Sequence, residues 1–160
     1  MSEQDNTDLS VAGKDGMREF VTINLSGQLL GIPVLDVHDV LNAQTMTHIP
    51  LAPPSIAGVL NLRGRIVTAV DMRVHLGFEA RDKDDSFMSV VVEHNGDPYS
   101  LLIDSVGEVL ALPDSDFERS PVTLDERLRE VSEGVYRLEK ELLVVLSVDS
   151  LLEFNVSDAA

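Results

Sequence analysis

Short apolar runs alternate with glycine, proline and polar breaks from residue 18 to residue 154, and the period of two within them predicts strands. Phe20–Leu25 reads as a first strand, Ser26-Gly27-Gln28 as a turn and Leu29–Val34 as a second strand. Pro33 limits that strand, because proline has no N–H for a ladder. Val34–Leu41 is ambiguous: Val37, Val40 and Leu41 fit helical spacing, so it is a short strand or one helical turn. Thr45–Ile49 reads as a short strand, and Pro50, Pro53 and Pro54 as a stiff connector. Ile56–Leu62 and Arg65–Val70 are strands joined across Arg63-Gly64. Asp71 is placed to cap a turn of helix through Leu76, stopped by Gly77. Residues 79–85 form a charged linker with nothing to bury. Phe87–Glu93, Tyr99–Ile103, Val106–Leu112, Gly134–Leu138 and Glu141–Val148 are the remaining strands, with a hairpin signal at Asn95-Gly96-Asp97. A short helix is expected near Leu124–Leu128, and Asp149 is expected to cap a last turn, Ser150–Phe154. Residues 1–17 and 155–160 read as disordered tails.

The pattern repeats. A shift of 69 residues lays Ser26-Gly27 on Asn95-Gly96, Val37 on Val106, Asp39 on Glu108 and Val40-Leu41 on Val109-Leu110. A shift of 76 lays Gly58-Val59 on Gly134-Val135, Leu62 on Leu138 and Val70 on Leu146. Alternating valine and leucine align somewhat by chance, but here glycine turns and acids fall in step as well. Two units follow, about residues 20–78 and 87–154, with exchange of terminal strands between them left open. Each is near the size at which a single core barely suffices, so they are expected to share apolar surface.

Composition narrows the class. Val 21, Ile 6 and Leu 22 against Ala 9 favour strands over long helices. A net charge of −16 argues against nucleic acid and anionic lipid as partners, since both need a basic face. The absence of cysteine removes disulfides, thiolate metal sites and cysteine nucleophiles. The N-terminus lacks the apolar core of a secretory signal, and no apolar run approaches the roughly 20 residues of a membrane span. His38, His48, His75 and His94 are scattered without ligand spacing, so no metal is expected. Asp36, Asp39, Asp71, Asp104 and Asp149 suggest carboxylate pairs. Helix caps and turn contacts are the simpler reading for most of them. Nucleophile elbows and glycine-rich phosphate loops are missing, so no cofactor and no catalysis are expected.

Gly58-Val59-Leu60-Asn61-Leu62-Arg63-Gly64, followed by an apolar strand and Asp71-Met72-Arg73, resembles the pattern of CheW-type chemotaxis adaptors. Leu30-Gly31-Ile32, Val37-His38-Asp39-Val40, Ile49-Pro50 and Leu102-Ile103-Asp104 agree with it, so the likeness spans about residues 18–154. Thr68 stands where the family often has proline, Leu30 where it has tyrosine and Ser100 where it has glycine. The resemblance implies an all-β fold of two packed five-stranded SH3-like barrels with short terminal helices. It implies a non-catalytic cytoplasmic adaptor at membrane-associated receptor arrays, coupling the signalling domain of chemoreceptors to the regulatory domain of the histidine kinase CheA. A coupling protein of another two-component pathway (motility, development or biofilm) is the alternative. With 160 residues there is no room for a fused kinase, and a monomer is expected.

The family's receptor-contact positions fall on Val37, Asp39, Gly58, Arg63 and Gly64; no motif marks a kinase-facing set. Each has a structural alternative. Gly58 and Gly64 allow a partner's backbone close approach or serve tight backbone geometry. Val37 is a core residue or an apolar contact. Arg63 is a solvated turn residue, or an anchor paired with Asp39.

Overall fold

Three hairpin turns organise the chain. Ser26-Gly27, Arg63-Gly64 and Asn95-Gly96 have φ values of 54° and 85°, 53° and 85°, and 53° and 84°. Two consecutive positive φ values define the turn whose twist matches paired strands. In two of them an asparagine side chain locks the turn. Asn24 Oδ1 accepts from Gly27 N at 3.2 Å, and Asn61 Oδ1 accepts from Gly64 N at 3.1 Å. The run Asn-Leu-Arg-Gly at 61–64 and the run Asn-Leu-Ser-Gly at 24–27 thus encode the same object.

A computed structural model describes residues 16–82, 85–119 and 124–159, with side chains through 153. The strands are β1 (Met17–Leu25), β2 (Gln28–Pro33), β3 (Asp39–Asn42), β4 (Ile56–Leu62), β5 (Arg65–Asp71), β6 (Met88–His94), β7 (Asp97–Ile103), β8 (Ser105–Pro113), β9 (Phe117–Glu118), β10 (Ser132–Arg137) and β11 (Leu142–Leu146). Helices are α1 (Met72–His75), α2 (Glu126–Val131) and α3 (Val148–Ala159).

One sheet runs β8-β1-β2-β11-β10-β9 and the other β3-β6-β7-β5-β4. Among the described residues only β2·β11 and β5·β7 are parallel. Dropping the two-residue β9, the two orders superpose through the sequence repeat, and the hairpins are traded. The β1–β2 hairpin of the first half lies in the sheet of the second half. The β6–β7 hairpin does the reverse.

Burial follows the period of two. Along β1, β2, β6, β7 and β11, alternate residues such as Ile23, Leu30, Val90, Leu101 and Val144 enter one core shared by both sheets. The opposite faces fill two smaller cores. Phe20, Tyr136, Leu143 and Val145 form one, and Leu60, Val67, Ala69 and Leu102 the other. Tyr136, Leu143 and Val145 lie 76 residues beyond Leu60, Val67 and Ala69, so the repeat extends to the interiors.

The Asp-Met-Arg run is structural here. Asp71 accepts from Arg73 N and Val74 N, capping α1 as expected. Arg73 forks onto Asp104, with Nε 2.9 Å from Oδ1 and Nη2 2.7 Å from Oδ2. Ser26 N donates to the same carboxylate at 2.9 Å, tying the β1–β2 turn to the end of β7. Burial alone would raise the Asp104 carboxyl. The Arg73 fork and the Ser26 N–H outweigh it and hold the group below the ordinary carboxylate range.

Several expectations are corrected. Val34–Leu41 divides into a 3-10 turn at Val34–Asp36 and the start of β3. The strand expected at Thr45–Ile49 reduces to one bridge, Thr47 with Val59. The short helix lies at Glu126–Val131, after the Asp125 cap. The last helix begins at Val148 and runs to Ala159, and Ser147 Oγ, not Asp149, accepts from Ser150 N. Asp149 instead meets the buried ring of His94, 3.0 Å from Nδ1. The charged linker does bury something: the Arg81 guanidinium packs 5.1 Å over the Phe87 ring with its side chain only 9% exposed. Residues 1–15 of the expected N-terminal tail lie outside the described residues, whereas Met17 opens β1 and residues 155–159 of the expected C-terminal tail continue α3.

Candidate docking surface

The β4–β5 turn places Arg63 at a left-handed φ that a long side chain rarely adopts, and this aims it across the open end of the second sheet. Opposite, the 3-10 turn at Val34–Asp36 redirects the chain so that β3 begins at Asp39. Arg63 Nη2 lies 2.9 Å from Asp39 Oδ2, off the line of a hydrogen bond, while Asp39 Oδ1 accepts from Val40 N at 2.9 Å. The sequence-based pairing of these two residues is therefore present. Arg63 is 76% exposed, which by itself makes the pair worth under about 1 kcal/mol. Its arrangement matters more for presenting a cation than for stability.

Beneath the pair opens a cavity of about 190 Å3, lined by Leu62, Val67, Val91 and Pro98 with Asp39, Arg63, Arg65 and Glu93 at the rim. It is the mouth of the small core around Leu60 and Val67. Arg65 reaches across the rim to Glu93 Oε2 at 3.3 Å and to Gly96 O at 3.2 Å. Sequence reading missed Arg65 and Glu93. Their signal was present: Arg65 follows the turn directly, and Glu93 lies two residues before Asn95-Gly96.

The other candidates lie apart from this mouth. Gly64 shares the turn; a Cβ there meets nothing within 4 Å, so only its φ of 85° requires glycine. Gly58 is buried, and an added Cβ would stand 2.5 Å from Thr47 O, in the bridge where Thr47 N donates to Val59 O at 2.8 Å. Gly134 repeats this fit against Glu118 O. Val37 is half-buried and packs on the shared core. No cluster of metal-ligating side chains occurs among the described residues. No described helix is long and apolar enough to cross a membrane.

Two sheets with traded hairpins define a duplicated SH3-like β domain, and comparison with known proteins agrees. The family model described as CheW-like domain matches residues 19–155. The chain belongs to that family. It is 25% identical over 146 residues to chemotaxis protein CheW of Rhizobium meliloti (strain 1021), covering 91% of this chain and 94% of that one. It is 27% identical over 142 residues to chemotaxis protein CheW of Klebsiella aerogenes, covering 89% and 86%. The crystal structure of scaffolding protein TtCheW from Thermoanaerobacter tengcongensis superposes with a TM-score of 0.76 at 28% identity, covering 85% of this chain and 92% of that one. The chain is a chemotaxis coupling adaptor with two SH3-like β units.

Proposed function

We propose that this adaptor bridges the cytoplasmic tips of chemoreceptors to the regulatory domain of the kinase CheA, performs no chemistry, and meets the receptor through the face built by Asp39, Arg63 and Gly64. The observation that carries this reading is the Asp39–Arg63 pair, a mostly exposed cation fixed by a left-handed turn on a protein of net charge −16. Val37 and Gly58 stand apart from this face, Val37 packed on the shared core and Gly58 letting Thr47 close against β4. The mechanism is positional: the adaptor holds kinase and receptor together, and a receptor's change of state biases the kinase through differential affinity.

The test is reconstitution of the chain with a receptor signalling domain and CheA, reading kinase autophosphorylation. Receptor control of the kinase is expected only when all three are present. Asp39→Arg and Arg63→Asp should each weaken receptor binding, and the double exchange should restore part of it. Wild-type coupling by Arg63→Glu would remove the site assignment.

A further inference from the structure

We propose that the mouth at the open end of the second sheet recognises an acidic partner segment, with an apolar side chain entering the cavity and a carboxylate taken by Arg65. The proposal rests on the reading that this face meets the receptor, and it adds the chemistry of what is bound.

Three observations converge on it. First, the cavity of about 190 Å3 has an apolar floor of Leu62, Val67, Val91 and Pro98. A cavity of about 150 Å3 holds a benzene ring, so one large aliphatic or aromatic side chain fits. Second, the rim carries two arginines on one hairpin, Arg63 and Arg65, on a chain with 28 acids against 12 Lys and Arg. Their counter-acids Asp39 and Glu93 leave the rim near neutral on an otherwise acidic chain, so an acidic segment is repelled less here than over the rest of the surface. Third, both arginines are held by weak internal stand-ins. Arg63 meets Asp39 without hydrogen-bond alignment, and Arg65 meets Glu93 at 3.3 Å with side chains 56% and 39% exposed. Such exposed pairs are cheap to exchange for an incoming carboxylate, and burial of that carboxylate under the partner strengthens the new pair. Glu93 is then a competitor built into the rim. It shields Arg65 until a better acid arrives. Gly96 O keeps Arg65 extended across the mouth, so the guanidinium need not reorganise.

The competitor makes the idea testable by a gain as well as a loss. Affinity of the full chain for a receptor signalling domain is measured by calorimetry at two salt concentrations. Arg65→Glu is expected to weaken binding at least tenfold and Arg65→Lys to weaken it less. Glu93→Gln is expected to tighten binding severalfold, with a steeper salt dependence. Arg63→Glu, run alongside, reports on the face itself. If Arg63→Glu weakens binding while Arg65→Glu and Glu93→Gln leave it unchanged, the acidic-segment proposal is overturned and the face survives. If all three leave binding unchanged, the receptor docks elsewhere and both readings fall. Tighter binding by Arg65→Glu would show a basic partner and would also overturn it. Circular dichroism melts of each variant separate these outcomes from loss of fold.

Discussion

Replacing Asp104 with asparagine isolates the joint between the two halves. Its carboxylate ends β7, receives both nitrogens of Arg73 after β5, and receives Ser26 N from the β1–β2 turn. One group thus joins three segments, two of them from traded hairpins. Both ion-pair side chains are mostly buried, 18% and 22% exposed, so solvent screening is incomplete. Asparagine keeps the shape but presents an N–H2 to one arginine nitrogen and removes the charge. Losing one charge-assisted hydrogen bond costs about 1.5–3 kcal/mol, and leaving Arg73 short of a counter-charge adds to it. The outer position of the site keeps the total near 2–3 kcal/mol. For a chain of this size, that lowers the melting temperature by about 5–10 °C.

The same substitution has a pH signature. Asp104 titrates lower in the folded chain than in the unfolded one, so its contribution is present above the unfolded pKa and is lost as pH falls through the folded pKa. Urea titrations of wild type and Asp104→Asn at pH 7 and in steps below pH 4 read this directly. The difference should be largest at pH 7 and shrink in acid. A difference under about 0.5 kcal/mol at pH 7, or one that does not shrink with acid, refutes the reasoning.

Three other outcomes follow from the packing. Gly134→Ala and Gly58→Ala should each destabilise the fold by more than about 2 kcal/mol, because a Cβ collides with a backbone carbonyl that cannot rotate away, whereas Gly64→Ala meets only the φ cost of about 1 kcal/mol; thermal melts rank the three. Tyr136→Phe should stabilise the chain by about 1 kcal/mol in chemical denaturation, since the buried hydroxyl has no hydrogen-bond partner among the described residues, and a loss of stability would mean that the hydroxyl is satisfied after all. Coexpressed fragments broken at residues 83–84 should fold only together, because each sheet takes a hairpin from the other half; an independently folded fragment, seen by dispersed NMR resonances, would contradict the traded topology.

Much of this was legible in the residues. The hairpin turns declare themselves through glycine, and the repeat through valine, leucine and glycine in step, because period-two burial and left-handed turns leave direct marks on sequence. The Asp39–Arg63 pair was also foreseen, although only through family likeness. What stayed hidden depends on partners distant in sequence. Nothing near Asp104 announces Arg73, and nothing in the charged linker announces that Arg81 finds Phe87. Helix capping went astray at Asp149 for a different reason. Ser147 and Asp149 are both good caps, and the choice between them was made by His94, 55 residues away.

The duplication also bears on the proposal that one turn docks a partner while its copies do not. Asn-Leu-Arg-Gly and Asn-Leu-Ser-Gly close the same hairpin with the same asparagine bond, so the locked geometry precedes any use of it. At 26 the left-handed position holds a serine beside the Asp104 joint, inside the union of the halves. At 63 it holds an arginine at an open mouth, mostly exposed among the described residues. A left-handed arginine costs about 1–2 kcal/mol against asparagine or glycine, and its mostly exposed ion pair returns under about 1 kcal/mol. Folding alone therefore selects against arginine at this position. On the proposed function the deficit is recovered by a partner that meets the guanidinium, and Arg63 is then a residue where selection for docking outweighs selection for stability.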